Sequence, residues 1–358
     1  MNVQFLIGCY ALICLSIITY NCYCIVMFRY RDTSREKYRE SLYEQMLSGM
    51  SEGYDKGYLR KKLYKIDGLL AYDEALSDLK KKNAQLYEEC RKNNSEIIRE
   101  LVHVYSGRNV MQQACFAYVL CSSGAVRYSA SEEMFIFLMR LIRNSNIYCR
   151  ENAMRSLCAS GRAEFVIGSL EIINDSDIYY NPRLITEDLL SFSGDRELLI
   201  DRIWQVIDRM KPEMRVALLN FIRFASGKWG DRMFEILKES SDTEEVIAAV
   251  RYFGKYPEQK AFPEVIGRLD TEQWEINAVI MSVLASYPGE ETMKILKAGL
   301  CSRNWYVRNN AAESISRLDP DYDTIRDVLE GQDPYARQAL RFRMEQAMKK
   351  EKGGERNG

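Results

Sequence analysis

In the stretch WYVRNNAAESISRL, Trp305 to Leu318, the apolar positions Val307, Ala311, Ile315 and Leu318 recur at spacings of four, four and three. Those spacings draw one stripe along a helix, with Arg308 and Asn309 turned away from it. Ala311 and Ala312 lie in the middle of the stripe, where small side chains let a second helix approach closely. The stretch therefore predicts the second helix of a packed pair.

The pattern recurs as IYCRENAMRSL (147–157), YNPRLITEDLL (180–190), PEMRVALLNFI (212–222), TEEVIAAVRYF (243–253), QWEINAVIMSVL (273–284) and DPYARQALRFRM (333–344). Taking the arginine as the register position gives Arg150, Arg183, Arg215, Ile247, Asn277, Arg308 and Arg337, at intervals of 33, 32, 32, 30, 31 and 29 residues. A further amphipathic run precedes each copy, for example EMFIFLMRLIRNS, DRMFEILKESS and ETMKILKAGL, with Ser-Gly, Tyr-Pro and Asp-Pro turn signals between units. One unit is thus helix, turn, helix. About thirty residues in two helices cannot bury their own apolar faces, so the units must stack. A fainter copy over residues 96–124 is expected to start the stack.

These residues resemble the HEAT-repeat family, whose second helix opens with an aspartate, a valine-arginine pair and an alanine pair. NWYVRNNAAESI places Asn304 at the aspartate position, DPYARQAL keeps Asp333, and NIYCRENAMRSL keeps Asn146 and Arg150. The resemblance covers residues 95–346 and implies an all-α fold, a right-handed-type α-α superhelix of about seven to eight helical hairpins. It says little of function, because such arrays serve as scaffolds, carriers, nucleic-acid readers and occasional enzymes. Stacking would line up Arg150, Arg183, Arg215, Arg308 and Arg337 along one side. Each arginine then either bonds to a carbonyl or acid of the adjoining unit, or contributes to a groove for an anionic ligand. Ile247 and Asn277 interrupt the series.

The N-terminus has another pattern. Val3 to Phe28 holds 26 residues without a charge, roughly 39 Å of helix against a hydrocarbon core of about 30 Å. A single transmembrane anchor is expected over 1–28. Arg29, Arg31, Arg35, Lys37 and Arg39 follow it and no basic residue precedes it, so the positive-inside rule places the C-terminal body in the cytoplasm. The basic cluster lies on the wrong side of the apolar run for a cleavable signal peptide. Residues 29–94 read as helical, with Leu59, Leu63, Ile66, Leu69, Leu70, Leu76 and Leu79 in helical spacing. They either cap the stack or bring Arg60, Lys61, Lys62 and Lys65 to anionic lipid headgroups. Residues 347–358 read as a charged disordered tail.

Composition narrows the function classes. The net charge of −1 and pI of about 6.2 lack the electrostatic excess of a dedicated nucleic-acid binder. Of ten cysteines, four lie in the apolar run and none forms a C-x-x-C, and His103 is the only histidine, so neither a zinc site nor a catalytic base is expected. Phosphate-cradling glycine loops are missing too. The expectation is a membrane-anchored cytoplasmic scaffold or adaptor, not an enzyme, without cofactor, small-molecule substrate or nucleic acid. Its partner would be a membrane-associated protein such as a membrane enzyme complex, with the N-terminal helix contacting the bilayer. The competing class is a HEAT-like nucleic-acid binder or DNA glycosylase, for which Trp204, Trp229, Trp274 and Trp305 would supply the aromatic residues.

Overall fold

The computed structural model describes residues 3–47, 56–270 and 272–354. The protein is all-α, and no strand occurs among the described residues. Contacts divide it into two compact units, Met1–Ile178 with Ser191–Asp195, and Tyr179–Leu190 with Arg196–Gly358. The run of repeats expected over 95–346 is shared between them.

The first unit contains α1 (Val3–Leu47), α2 (Lys56–Leu63), α3 (Ile66–Lys82), α4 (Ala84–Glu100), α5 (Val102–Ser106), α6 (Val110–Ser122), α7 (Ala125–Tyr128), α8 (Glu132–Ile142), α9 (Ile147–Ser160) and α10 (Ala163–Asp175). Helix α1 does not stop at Phe28 but continues unbroken for 45 residues. One window within it is long and apolar enough to cross a membrane, and none of that window is buried. Beyond it the face pattern changes. Arg35, Arg39, Leu42 and Met46 fall at spacings of four, three and four, and Leu42 and Met46 are fully buried where α1 packs on α3. At the edge of that contact Arg31 pairs with Asp67 at 2.8 Å, Arg35 with Glu74 at 3.7 Å, and Arg39 with Asp78. Partner numbers rise together along both helices, so α1 and α3 run parallel. Helix α3 also contacts α4 and α6.

Packing of α6 on α9 and of α8 on α9 forms the hairpin stack of this unit. Gly161, at φ 73°, ends α9 in the left-handed region that favours glycine. A Cβ there would stand 3.3 Å from Gly194, whose own Cβ would run into the Gly161 carbonyl. The segment Ser191–Asp195 is thereby held against α9, with Ser193 donating to the carbonyls of Cys158 and Ala159.

The second unit holds α11 (Pro182–Leu190), α12 (Arg196–Val206), α13 (Pro212–Ala225), α14 (Gly230–Glu239), α15 (Thr243–Lys255), α16 (Phe262–Gly267), α17 (Trp274–Val283), α18 (Glu290–Leu300), α19 (Trp305–Leu318), α20 (Tyr322–Leu329) and α21 (Pro334–Gly354). Helices α11, α13, α15, α17, α19 and α21 contact one another in succession, and α13, α15, α19 and α21 also pack on the helix before them. Helix α21 runs through residues 347–354, where the sequence suggested the start of a disordered tail; its lysine-rich composition suits a helix. Residues 355–358 lie outside the described residues.

The stripe on α19 is buried at Val307, Ala311, Ala312 and Ile315, and half-buried at Leu318. A Cβ on Gly299 of α18 would come within 3.2 Å of the Ala311 Cβ, so the two helices meet through their smallest residues. Ala311→Leu is accordingly expected to destabilise the protein by about 2 kcal/mol through overpacking. Thermal unfolding indistinguishable from wild type would refute this packing.

Candidate functional site: a groove across three second helices

Most of the repeated polar residues are committed to the framework. Side chains at the starts of the second helices accept hydrogen bonds from the first turn: Asn146 from Tyr148 N, Asn181 from Arg183 N, Asp242 from Glu244 N and Glu245 N, Asn304 from Tyr306 N, and Asp333 from Tyr335 N. Each satisfies a donor that the helix leaves unpaired, typically contributing ~1 kcal/mol.

The register arginines do not share one role. Arg150 donates from Nη1 to the carbonyls of Asn144 and Ser145, both at 2.8 Å. Arg308 repeats this with Ser302 and Arg303, at 2.7 and 3.0 Å, and Arg337 with Gly331 at 3.0 Å. These carbonyls belong to the turn of the arginine's own hairpin, not to the adjoining unit as the sequence suggested. The turn brings its leftover carbonyls back beside the second helix, five or six residues before the arginine. Asn277, which breaks the arginine series, does the same work by exchanging bonds with the Asp270 backbone. Arg215 reaches the next repeat, its Nε 2.8 Å from Glu245. Arg183 pairs with Glu187 at 2.8 Å and remains exposed. Of the five arginines, only Arg183 lines the groove described below.

A second polar series was not anticipated. Asn152 and Ser156 donate to the carbonyls of Ala114 and Ala117, and Asn310 and Ser314 donate to those of Ala278 and Met281. These side chains tie each second helix to the one before it. The signal was present in the repeats as R-x-N-A-x-x-S in both RENAMRS and RNNAAES.

The basic residues after the apolar run are also largely engaged. Arg31, Arg35 and Arg39 face acids of α3, Arg60 pairs with Glu100, and Lys62 sits over the rings of Tyr38 and Tyr58. Arg29, Lys37, Lys61 and Lys65 are exposed. Beside this contact, Ser122 of α6 donates to Asp73 of α3. Burial raises the Asp73 carboxyl above its usual pKa, more than that hydrogen bond lowers it. A raised folded-state pKa means that Asp73 favours folding below the ordinary carboxylate pKa and loses that contribution as pH rises through the folded value. Asp73→Asn is therefore expected to raise the melting temperature at pH 7, with the gain vanishing below about pH 4. A gain that instead grew on acidification would contradict this assignment.

The four tryptophans are not gathered at one site. Trp204 and Trp229 lie 6.3 Å apart, with Trp229 Nε1 donating to Glu197 at 3.0 Å. Trp274 stacks on Tyr306, and Trp305 meets the same tyrosine edge-on. His103 is exposed on α5.

What remains is a groove of about 860 Å³ across α11, α13 and α15. Leu190, Val216, Ala217 and Phe224 give it an apolar lining. Two polar side chains of that lining are tied to the helices, Thr186 donating to Ala217 O at 3.0 Å and Asn220 to Val216 O at 2.9 Å, and Arg183 pairs with Glu187. Glu213 and Glu244 stand at the N-terminal ends of α13 and α15, where negative charge suits the helix dipoles. Arg223 and Arg251 stand at the other end.

No carboxylate pairs with either of these arginines among the described residues. Arg223 is half-buried, its guanidinium 4.1 Å from the centre of the Phe224 ring, and its Nε lacks a hydrogen-bond partner. Burial, and then the like charge of Arg251, hold the Arg223 pKa below the usual arginine value. Two unneutralised cations at the end of an apolar groove are suited to receiving an anionic group. Arg223 and Arg251 lie eight and four residues beyond the register positions Arg215 and Ile247 of their copies, so a single register per repeat does not mark them.

The fold thus defines the protein as an all-α chain of stacked helical hairpins with a long apolar helix before them. No known family's profile matches the chain, and neither does any curated protein.

Proposed function

We propose that this protein is a HEAT-like helical-repeat scaffold, tethered to a membrane by α1, which binds a segment of a membrane-associated protein in the groove of α11, α13 and α15. The observation that carries this reading is the pair Arg223 and Arg251 at the end of a largely apolar channel, with no ion pair to either among the described residues. The tether supports it from a different direction, since confinement to a bilayer raises effective concentration and lets a modest groove suffice. Glu213 and Glu244 at the opposite end argue against a phosphate backbone running the length of the groove. The body is read as cytoplasmic because Arg29, Arg31, Arg35, Lys37 and Arg39 directly follow the apolar window.

Two measurements test the proposal. A reporter that is active only outside the cytoplasm should be silent when fused after Gly358, and strong activity would reverse the orientation. A photo-crosslinking phenylalanine analogue at Phe224, 47% exposed beside the arginine pair, should capture a membrane protein in native membranes. The same analogue at Phe342 of α21, 54% exposed and away from the groove, serves as the control. Identical products from the two positions would remove the groove from the reading.

A further inference from the structure

The groove carries more information than its existence, because its charge is polarised along the axis of α13. From Glu213 to Phe224 is eleven residues, about 17 Å of helix. Glu213 and Glu244 mark the end where α13 and α15 begin, and Arg223 and Arg251 mark the end where they finish. Between them the surface is apolar at Leu190, Val216 and Ala217, and the one charged pair on α11, Arg183 with Glu187 at 2.8 Å, is neutral as a pair. The walls are helices whose backbone groups are spent on their own hydrogen bonds, and the side chains of Thr186 and Asn220 are spent as well. An extended peptide would find no free ladder of donors and acceptors here, and its own backbone would lie unpaired on an apolar floor. A helix brings its backbone already satisfied.

Resting on the proposed binding role, we infer that the occupant is an amphipathic helix of the partner protein, about three turns long, acidic at its N-terminal end and basic at its C-terminal end, lying antiparallel to α13. In that orientation its acidic first turn meets Arg223 and Arg251, and its basic last turn meets Glu213 and Glu244. The helix dipoles then oppose, so the side-chain charges and the backbone partial charges favour the same direction. Acidic residues in the first turn and basic residues in the last also stabilise the occupant's own helix. The polarity of the groove and the polarity of a well-formed helix therefore select one orientation together.

The test uses the full chain in lipid nanodiscs and two fluorescent peptides of fourteen residues with identical composition. Both carry leucine at i, i+3, i+4, i+7 and i+8; one has glutamate in its first turn and lysine in its last, and the other has these charges exchanged. Fluorescence anisotropy should show the glutamate-first peptide binding roughly tenfold tighter at low salt, with the difference shrinking as salt rises. Arg251→Glu, at an exposed position without a partner, should abolish that preference, and Glu213→Lys should weaken it from the other end. Equal affinity of the two peptides, or a preference that survives Arg251→Glu, overturns the inference. Should the Phe224 crosslink persist while the peptides fail to discriminate, the scaffold reading stands and the antiparallel helix falls. Loss of both the crosslink and all peptide binding removes the two together.

Discussion

Glu245→Ala is expected to lower the unfolding free energy by about 3 kcal/mol, as removal of one partner from a buried ion pair does. The Glu245 side chain is only 4% exposed. One carboxylate oxygen lies 2.8 Å from Arg215 Nε, and the other accepts from Arg215 Nη2 at 3.1 Å and from Ser240 Oγ at 2.8 Å. A single acid thus closes the turn before α15 and joins α15 to α13. Its loss leaves a largely covered cation facing an empty site. Arg215→Ala combined with Glu245→Ala should cost less than the sum of the separate changes, because no unpaired charge is then left behind. Thermal and urea unfolding of the four proteins in one detergent gives the cycle. Additive costs, or a Glu245→Ala no more harmful than the exposed Glu244→Ala, would show that the contact does not organise this part of the stack.

Met46→Ala should be the next most damaging change, at about 3 kcal/mol, with Leu42→Ala close to it. Both side chains are buried against α3, and each substitution leaves a cavity that two regular helices cannot easily collapse. The loss should be local first. Hydrogen exchange should accelerate over residues 31–47 and along α3, while α13 to α19 keep their protection. Arg39→Ala, at the half-buried edge of the same contact, should cost well under Met46→Ala, since an ion pair still reached by water contributes less than a filled core position. Equal costs for Met46→Ala and Arg39→Ala would mean that charge, not burial, holds α1 to α3.

The helices and their order could be read from the sequence because burial imposes a period, and a period survives without any knowledge of contacts. Val307, Ala311 and Ile315 had to share a face, and the interval from Arg150 to Arg337 had to reflect a repeated unit. What each repeated residue touches could not be read in the same way. The arginines at one register bond to their own turn at Arg150, Arg308 and Arg337, to the next repeat at Arg215, and to their own helix at Arg183. These choices depend on turn lengths that differ by a residue or two between copies. The groove was hidden for a related reason. Its two unpaired arginines belong to different repeats and different registers, and only the stacking of α13 on α15 makes them neighbours. The basic residues after the apolar run look uniform in sequence, yet three of them face Asp67, Glu74 and Asp78 because they share a face with Leu42 and Met46.

The unbroken course of α1 gives the proposed tether a mechanical character. A flexible linker would let the attached unit swivel and would smear its height above the bilayer over a wide range. Here Phe28 and Leu42 belong to one rod, fourteen residues apart, so the first buried contact stands about 21 Å of helix beyond the end of the apolar run. The rod is clamped along its far end by Leu42, Met46 and the three arginines, leaving no hinge at which yaw or pitch could relax. A change in bilayer thickness that tilts the span would therefore lean the whole first unit like a lever. The lean would also carry the exposed Arg29 and Lys37 toward or away from the lipid headgroups.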